Sequence, residues 1–221
     1  MNNKKGASAN RSRVFFTADT HLDHSNIIKY CNRPFMSPQE IKDLEFARKS
    51  GDPKAERRVS ISHETVERMN AEMLNRANET VMPQDTLYII GDFAWVKTRD
   101  RAKYFRDAIN CRNVILIWGN HDNRQLLKGL FQGYHDILDT KIDTQPIVMC
   151  HYAMHTWNRS HYGSYHVFGH SHGMIDSRAG TLSCDVGVDC WNYTPVAFEQ
   201  VIDVMSKKDI IYGEKGYFNG T

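Results

Sequence analysis

The stretch Ile115-Leu116-Ile117-Trp118-Gly119-Asn120-His121-Asp122 decides how the rest of the chain is read. An apolar run of strand type stops at a glycine, and the next three side chains are an amide, an imidazole and a carboxylate. Alone, Gly-Asn-His-Asp is only a turn. Four other strand-like runs end the same way. Val14 to Ala18 runs into Asp19-Thr20-His21, and Thr86 to Ile90 into Gly91-Asp92. Ile147 to Cys150 runs into His151, and Tyr165 to Phe168 into Gly169-His170-Ser171-His172. Open α/β sheets collect ligands beyond the carboxyl ends of their strands, so residues distant in sequence are expected to meet at one edge. Asp, His and Asn carry oxygen and nitrogen donors suited to borderline divalent ions, and two such ions can share a bridging carboxylate.

Around these strand ends the pattern is α/β. Ser37-Pro38-Gln39-Glu40 reads as a helix start, with proline at the first position and glutamate three residues after the serine. Asp43 to Arg58 mixes both signs of charge around Gly51-Asp52-Pro53 and reads as a loop or flexible insertion. From Ser62 a helix places Val66, Met69, Met73 and Ala77 on one face, as core filler. Met82-Pro83 breaks it before the strand Thr86 to Ile90. Arg99 to Asn110 then carries the stripe Ala102, Phe105, Ala108 and Ile109, giving strand, helix, strand. A short helix is expected over Asn123 to Phe131. Strands are expected over Asp136 to Thr144, Ile147 to Cys150, Tyr165 to Phe168 and Leu182 to Val188. A helix is expected over Pro195 to Met205, and one more strand at Ile210 to Tyr212.

A length of 221 residues suits one domain, because ordinary domains reach about 250 residues before they split. We place that domain at 14–221, with a helical and charged insertion around 37–80, behind a basic, disordered leader at 1–13. The leader lacks the apolar segment of a secretory signal. With 41% hydrophobic and 24% charged residues and a net charge of +2, the chain has no strong double-stranded nucleic-acid footprint. No stretch approaches the roughly 20 apolar residues that span a bilayer. Five cysteines without a Cys-x-x-Cys pair argue for reduced thiols and a cytoplasmic location.

The ordered blocks Asp19-x-His21, Gly91-Asp92, Gly119-Asn-His-Asp122, His151 and Gly169-His-x-His172 resemble the calcineurin-like metallophosphoesterase superfamily. The resemblance implies a four-layer α/β/β/α fold, two mixed β-sheets packed as a sandwich and flanked by helices, with metals at one end. It implies that Asp19, His21 and His172 hold one divalent ion, that Asn120, His151 and His170 hold another, and that Asp92 bridges them. It further implies a bridging hydroxide as nucleophile and His121 as the group that protonates or hydrogen-bonds the departing oxygen. With no thiolate in the set, Mn²⁺ is favoured, and Zn²⁺, Fe²⁺ or Ni²⁺ also suit the donors. Asp185-Val-Gly-Val-Asp189 followed by Trp191-Asn-Tyr193 looks like the closing strand of small bacterial and phage members. There Asp189 either hydrogen-bonds a ligand imidazole from behind or caps a turn.

Around this set, His24, Asn26 and Arg33 are candidates for substrate contact, because the loop Asp19 to Pro34 is dense in polar side chains. The plainer readings are that Asn26 caps the following turn and Arg33 makes a surface ion pair. Arg124 is placed to clamp a phosphate oxygen, while His155 and His161 lie in a loop whose two ends are ligands. His166 is expected to alternate within a strand.

Serine/threonine protein phosphatases of the superfamily carry Gly-Asp-x-x-Asp-Arg-Gly and Gly-Asn-His-Glu, and this chain departs from both blocks. A protein phosphatase is therefore disfavoured, and analogy within the superfamily implies hydrolysis of phosphodiesters in nucleotides or cyclic (oligo)nucleotides. The alternatives are a phosphomonoesterase of small phosphorylated substrates and a non-catalytic metal-binding scaffold. Small relatives often self-associate, so a homo-oligomer is open, although no heptad marks an interface.

Overall fold

The computed structural model describes residues 12–175 and 181–208. The elements in the first half are β1 (Val14–Thr17), α1 (Ser25–Tyr30), α2 (Pro38–Lys49), α3 (Ala55–Arg58), α4 (His63–Thr80), β2 (Thr86–Ile90), α5 (Arg99–Asp107) and β3 (Asn113–Ile117). They continue as α6 (Arg124–Leu127), β4 (Gly133–His135), β5 (Ile137–Ile142), β6 (Gln145–Cys150), β7 (Tyr165–Phe168), β8 (Ser183–Asp185), β9 (Val196–Ala197) and α7 (Phe198–Ser206). The strand proposed at Ile210 to Tyr212 and the leader up to residue 11 lie outside the described residues.

Two mixed sheets form, in the orders β4-β3-β2-β1-β9 and β5-β6-β7-β8. In the first, β1 to β4 run parallel and β9 returns antiparallel on β1. In the second, β5 and β6 are an antiparallel hairpin, and β7 and β8 continue parallel to β6. Strand alternation sorts the first sheet's side chains into two cores. Phe15, Leu87, Ile89, Val114 and Leu116 pack against Met69 and Met73 of α4 and Ala102 and Phe105 of α5. Phe16, Ile90 and Ile117 point the other way, onto Ile147, Met149, Val167 and Cys184 of the second sheet, where α7 adds Phe198, Val201 and Met205. The chain is thus a two-sheet sandwich flanked by helices. The carboxyl ends of β1, β2, β3, β6 and β7 open toward one edge, held together by a bridge between Ala18 and Gly187.

Several local expectations need correction. Asp43 to Arg58 is not a loop: α2 runs to Lys49 and α3 follows at Ala55–Arg58. Its charges lie on the outer face, while Glu40, Leu44 and Ala47 are buried at helical spacing. The helix after Asp122 is one turn, capped by the Asn123 side chain. It closes where the Tyr134 hydroxyl donates to the Leu127 carbonyl at 2.9 Å and accepts from the Phe131 N–H at 2.7 Å. Strand β4, on which Tyr134 sits, was not anticipated. The last helix begins at Phe198, not Pro195, because Val196 and Ala197 pair with Phe16 and Phe15. The Gln200 side chain accepts the Ala197 N–H at 2.8 Å and caps the helix there. Leu182 to Val188 narrows to the three residues of β8.

Candidate metal centre

The candidate ligands leave the strands through left-handed turns. Asp19, His21, Asp92, His170 and His172 all hold φ between 47° and 67°. That conformation costs a non-glycine residue about 1–2 kcal/mol, so the surrounding bonds must enforce it. Backbone pairing does part of this, with the Asp19 N–H on the Gly91 carbonyl at 3.0 Å and the His21 N–H on that of Asp92 at 2.9 Å. Carboxylates do the rest. Asp122 accepts the N–H groups of Asp92 (3.0 Å), Phe93 (2.9 Å) and Gly119 (2.9 Å), tying the second strand end to the third. Asp185 accepts the Ser171 hydroxyl at 2.6 Å and the N–H groups of Gly173 (3.1 Å) and Gly187 (2.7 Å), and so shapes the Gly-His-Ser-His turn. Neither role was read from the sequence, though an aspartate beside a turn is the available signal.

Two glycines are present because backbone passes against carboxylate. A Cβ on Gly119 would lie 2.2 Å from Oδ1 of Asp92, and one on Gly169 would lie 2.6 Å from Oδ2 of Asp19. The residue after Gly169 and the second residue after Gly119 each supply an N–H to the same carboxylate. For His170 to Asp19 Oδ2 the distance is 2.8 Å. The Asn120 turn delivers the His121 N–H to Asp92 Oδ1 at 2.8 Å.

The side chains gather into two donor sets, Asp19 with His21 and His172, and Asp92 with His151 and His170, each having its ligand atoms within 4.8 Å of one another. Asn120 joins the second through its Oδ1, 3.1 Å from His151 Nε2. Asp92 Oδ2 lies 3.4 Å from His21 Nε2 of the first set and 3.4 Å from His151 Nε2 of the second. His151 Nδ1 donates to the Ile90 carbonyl at 2.9 Å, which leaves its Nε2 lone pair facing Asn120 and Asp92. His172 Nδ1 bonds Asp189 Oδ2 at 2.7 Å, so Asp189 does stand behind a candidate ligand. Cys31 also approaches His172 and Asp189, on a ring whose Nδ1 is already committed.

These residues fit a cation by their unsatisfied chemistry. His21 Nε2 is buried and has no hydrogen-bond partner. Burial drives its pKa down to about 2, so it is a neutral donor. Burial raises Asp19 to about 7. For Asp92 burial works upward, but the hydrogen bond and charge of His151 prevail and hold it at about 2. Burial opposes the charge on His172, while Asp189, Cys31 and Asp19 carry it up to about 10. Burial lowers His170, and it is outweighed at His151, which Asp92 raises.

The remaining candidates are dispersed. His121 is exposed at the mouth, its ring 5.4 Å from that of His21 and outside both donor sets. His24 is half-buried, its Nδ1 3.4 Å from His21 Nδ1, and burial followed by the proximity of His121 takes its pKa to about 4. Asn26 is not a cap, because it is the second residue of α1 and His24 holds the cap position. Arg33 makes no surface ion pair: it is fully buried, chelates Asp189 at 2.9 and 2.8 Å, and donates to the Asp19 and Thr20 carbonyls. Its fork therefore positions the first strand end and, through Asp189, His172. Arg124 is exposed, paired with Asp136 and stacked over Trp118. His155 and His161 are exposed, and His161 packs on Tyr162 with ring centroids 4.2 Å apart. His166 lies in β7 as expected, and its Nε2 accepts the Met154 N–H at 3.1 Å to shape the loop above.

Fold and edge together define an α/β two-sheet protein with two donor sets side by side at one strand edge. No family model matches the chain. An uncharacterized protein of Methanocaldococcus jannaschii is 24% identical over 208 residues, covering 90% of this chain and 94% of that protein. A protein of unknown function from Aquifex aeolicus superposes with a TM-score of 0.58 at 18% identity, over 88% of this chain and 100% of that one. That likeness establishes the fold alone. A novel archaeal phosphodiesterase aligns at 17% identity over 79% of this chain and 83% of its own, with a TM-score of 0.38, too loosely to build on. Among the described residues no helix is long and apolar enough to cross a membrane.

Proposed function

We propose that the chain is a metallophosphoesterase of the calcineurin-like superfamily that hydrolyses phosphodiester bonds, with nucleotides, cyclic ones included, as its substrate class. The observation that carries this reading is the position of Asp92 Oδ2, 3.4 Å from a ring nitrogen of each donor set. Asp19, His21 and His172 would hold one divalent ion, Asn120, His151 and His170 the other, and Asp92 both. Bound there, such ions supply an activated water and neutralise phosphoryl charge. All donors are oxygen or nitrogen, which favours Mn²⁺ and admits Zn²⁺, Fe²⁺ and Ni²⁺. Asp122 and Asp185 keep the turns in register. His121 has its backbone tied to Asp92 and its ring at the open mouth, from which it delivers a proton to the leaving oxygen. All five cysteines are free, in keeping with a reducing compartment such as the cytoplasm.

The test is hydrolysis of bis(p-nitrophenyl) phosphate and p-nitrophenyl phosphate by chelator-stripped protein before and after Mn²⁺ is restored. The reading predicts no turnover without metal and faster cleavage of the diester with it. Faster cleavage of the monoester would favour a phosphomonoesterase, and full activity without metal would remove the metal from the chemistry.

A further inference from the structure

Each donor set has an exposed aromatic ring beside it, and the two rings sit differently. Tyr152 meets the rings of His151 and His170 at 69° in both cases, edge against face. That arrangement screens the ligand rings and offers little free π surface. Trp95 instead lies flat along His24, with centroids 4.7 Å and planes 14° apart, and its centroid is 5.0 Å from that of His121. Although the largest of side chains, it is 44% exposed. It is also held in place. Its backbone N–H donates to the Leu22 carbonyl at 2.8 Å, and Leu22 bridges Ala94 just before it. An indole already stacked on His24 loses less conformational entropy than a free one when a ligand stacks on it.

Trp95 forms one wall of an open groove in which Ser25, His63 and Thr98 offer hydrogen-bonding groups beside the apolar Ile61 and Val66. Arg101, in the same groove, is committed to Asp23 and Glu67, and the exposed Lys97 lines the groove beside them. The exposed indole face, flanked by hydrogen-bonding and apolar side chains, suits a planar heterocycle with polar edges. In a nucleotide a sugar separates base from phosphate. A base stacked on Trp95 would therefore bring its sugar and phosphate alongside His121, whose ring centroid is 5.0 Å from that of the indole.

We propose that the shelf formed by Trp95 and His24 is a base subsite, which takes the heterocycle of a nucleotide whose phosphate lies over the two donor sets. The proposal rests on the phosphoesterase reading and narrows it to substrates that carry a base next to the scissile phosphate.

The test is calorimetric binding of AMP and of ribose 5-phosphate to the Mn²⁺-loaded protein, compared within each variant so that a general loss of affinity cancels. AMP should bind about 5- to 150-fold tighter to the wild type, the range that base–aromatic stacking spans. W95A should bring the ratio close to one, and W95F should keep most of it. A wild-type ratio near one, or a ratio unchanged in W95A, overturns the subsite. Should W95A not fold, the wild-type ratio and W95F still decide. Selective AMP binding by a wild type that cleaves neither phosphodiester nor phosphomonoester would keep the subsite and end the phosphoesterase reading. Cleavage without base selectivity would do the reverse.

Discussion

Two buried carboxylate regions of this molecule are built on opposite principles. Glu40, at the joint of α2 and α4, accepts the Ser37 N–H at 2.7 Å, the Ser62 N–H at 2.6 Å and the Thr65 hydroxyl at 2.8 Å. Burial would raise its pKa, but those bonds overcome burial and bring it to about 2. At the strand edge, Asp19 is raised by burial to about 7 and His21 Nε2 has no partner. Five candidate ligands there also hold left-handed backbone. The helical joint spends its polar groups on one another. The strand edge keeps its own directed inward and incompletely matched, which is costly unless something else is bound. Unsatisfied polarity that the rest of the fold holds in place is the physical signature of a site.

The largest expected effect is at Asp92, whose Oδ2 faces a ring nitrogen of each donor set. Asp92→Asn should drop activity to the level of metal-free protein and reduce metal content below one ion per chain. Elemental analysis that finds wild-type content in the variant would contradict a shared carboxylate. His121→Ala should fold and keep its metals, yet lose about 10²–10⁴-fold in rate on esters with poor leaving groups. The loss should be much smaller for p-nitrophenolate, which needs no proton. A uniform loss across leaving groups would assign the ring to phosphoryl binding.

Asp189→Asn should weaken Mn²⁺ binding about 10- to 100-fold at one of the two sites, measured by titration calorimetry, because Asp189 fixes His172. Unaltered affinity would reduce Asp189 to an anchor for Arg33. The smallest effect belongs to the helical joint, where Glu40→Gln should cost about 1–3 kcal/mol at neutral pH. The folded carboxyl titrates near 2 and the ordinary one near 4.5, so its stabilisation is present above about 4.5 and fades as pH falls toward 2. The gap in Tm between wild type and variant should close over that window. A gap that persists unchanged in acid would show that shape, not charge, holds the joint.

Much of the fold was legible because its signals are local. β2 and β7 begin and end where the apolar runs do, at Thr86–Ile90 and Tyr165–Phe168. The residues that end the runs are the ones the structure brings together at the edge. What stayed illegible depends on distant partners. Arg33 and Asp189 are 156 positions apart, and nothing local marks Arg33 as buried. Val196 continues a helical stripe in sequence but is drawn into β9 by β1, tertiary pairing overriding pattern. In α2 the dense charges hid a narrow buried face of Glu40, Leu44 and Ala47. The left-handed turns and the bonds that Asp122 makes are visible only once the strand ends meet.

The proposed role of Asp92 requires one carboxylate oxygen to join two metal sites. Electron paramagnetic resonance of the wild-type protein titrated with Mn²⁺ tests it most directly. Two ions about 3.5–4 Å apart must couple magnetically, so a spin-coupled signal should replace that of isolated ions as loading rises from one to two per chain. A spectrum of isolated Mn²⁺ at every loading would contradict the account.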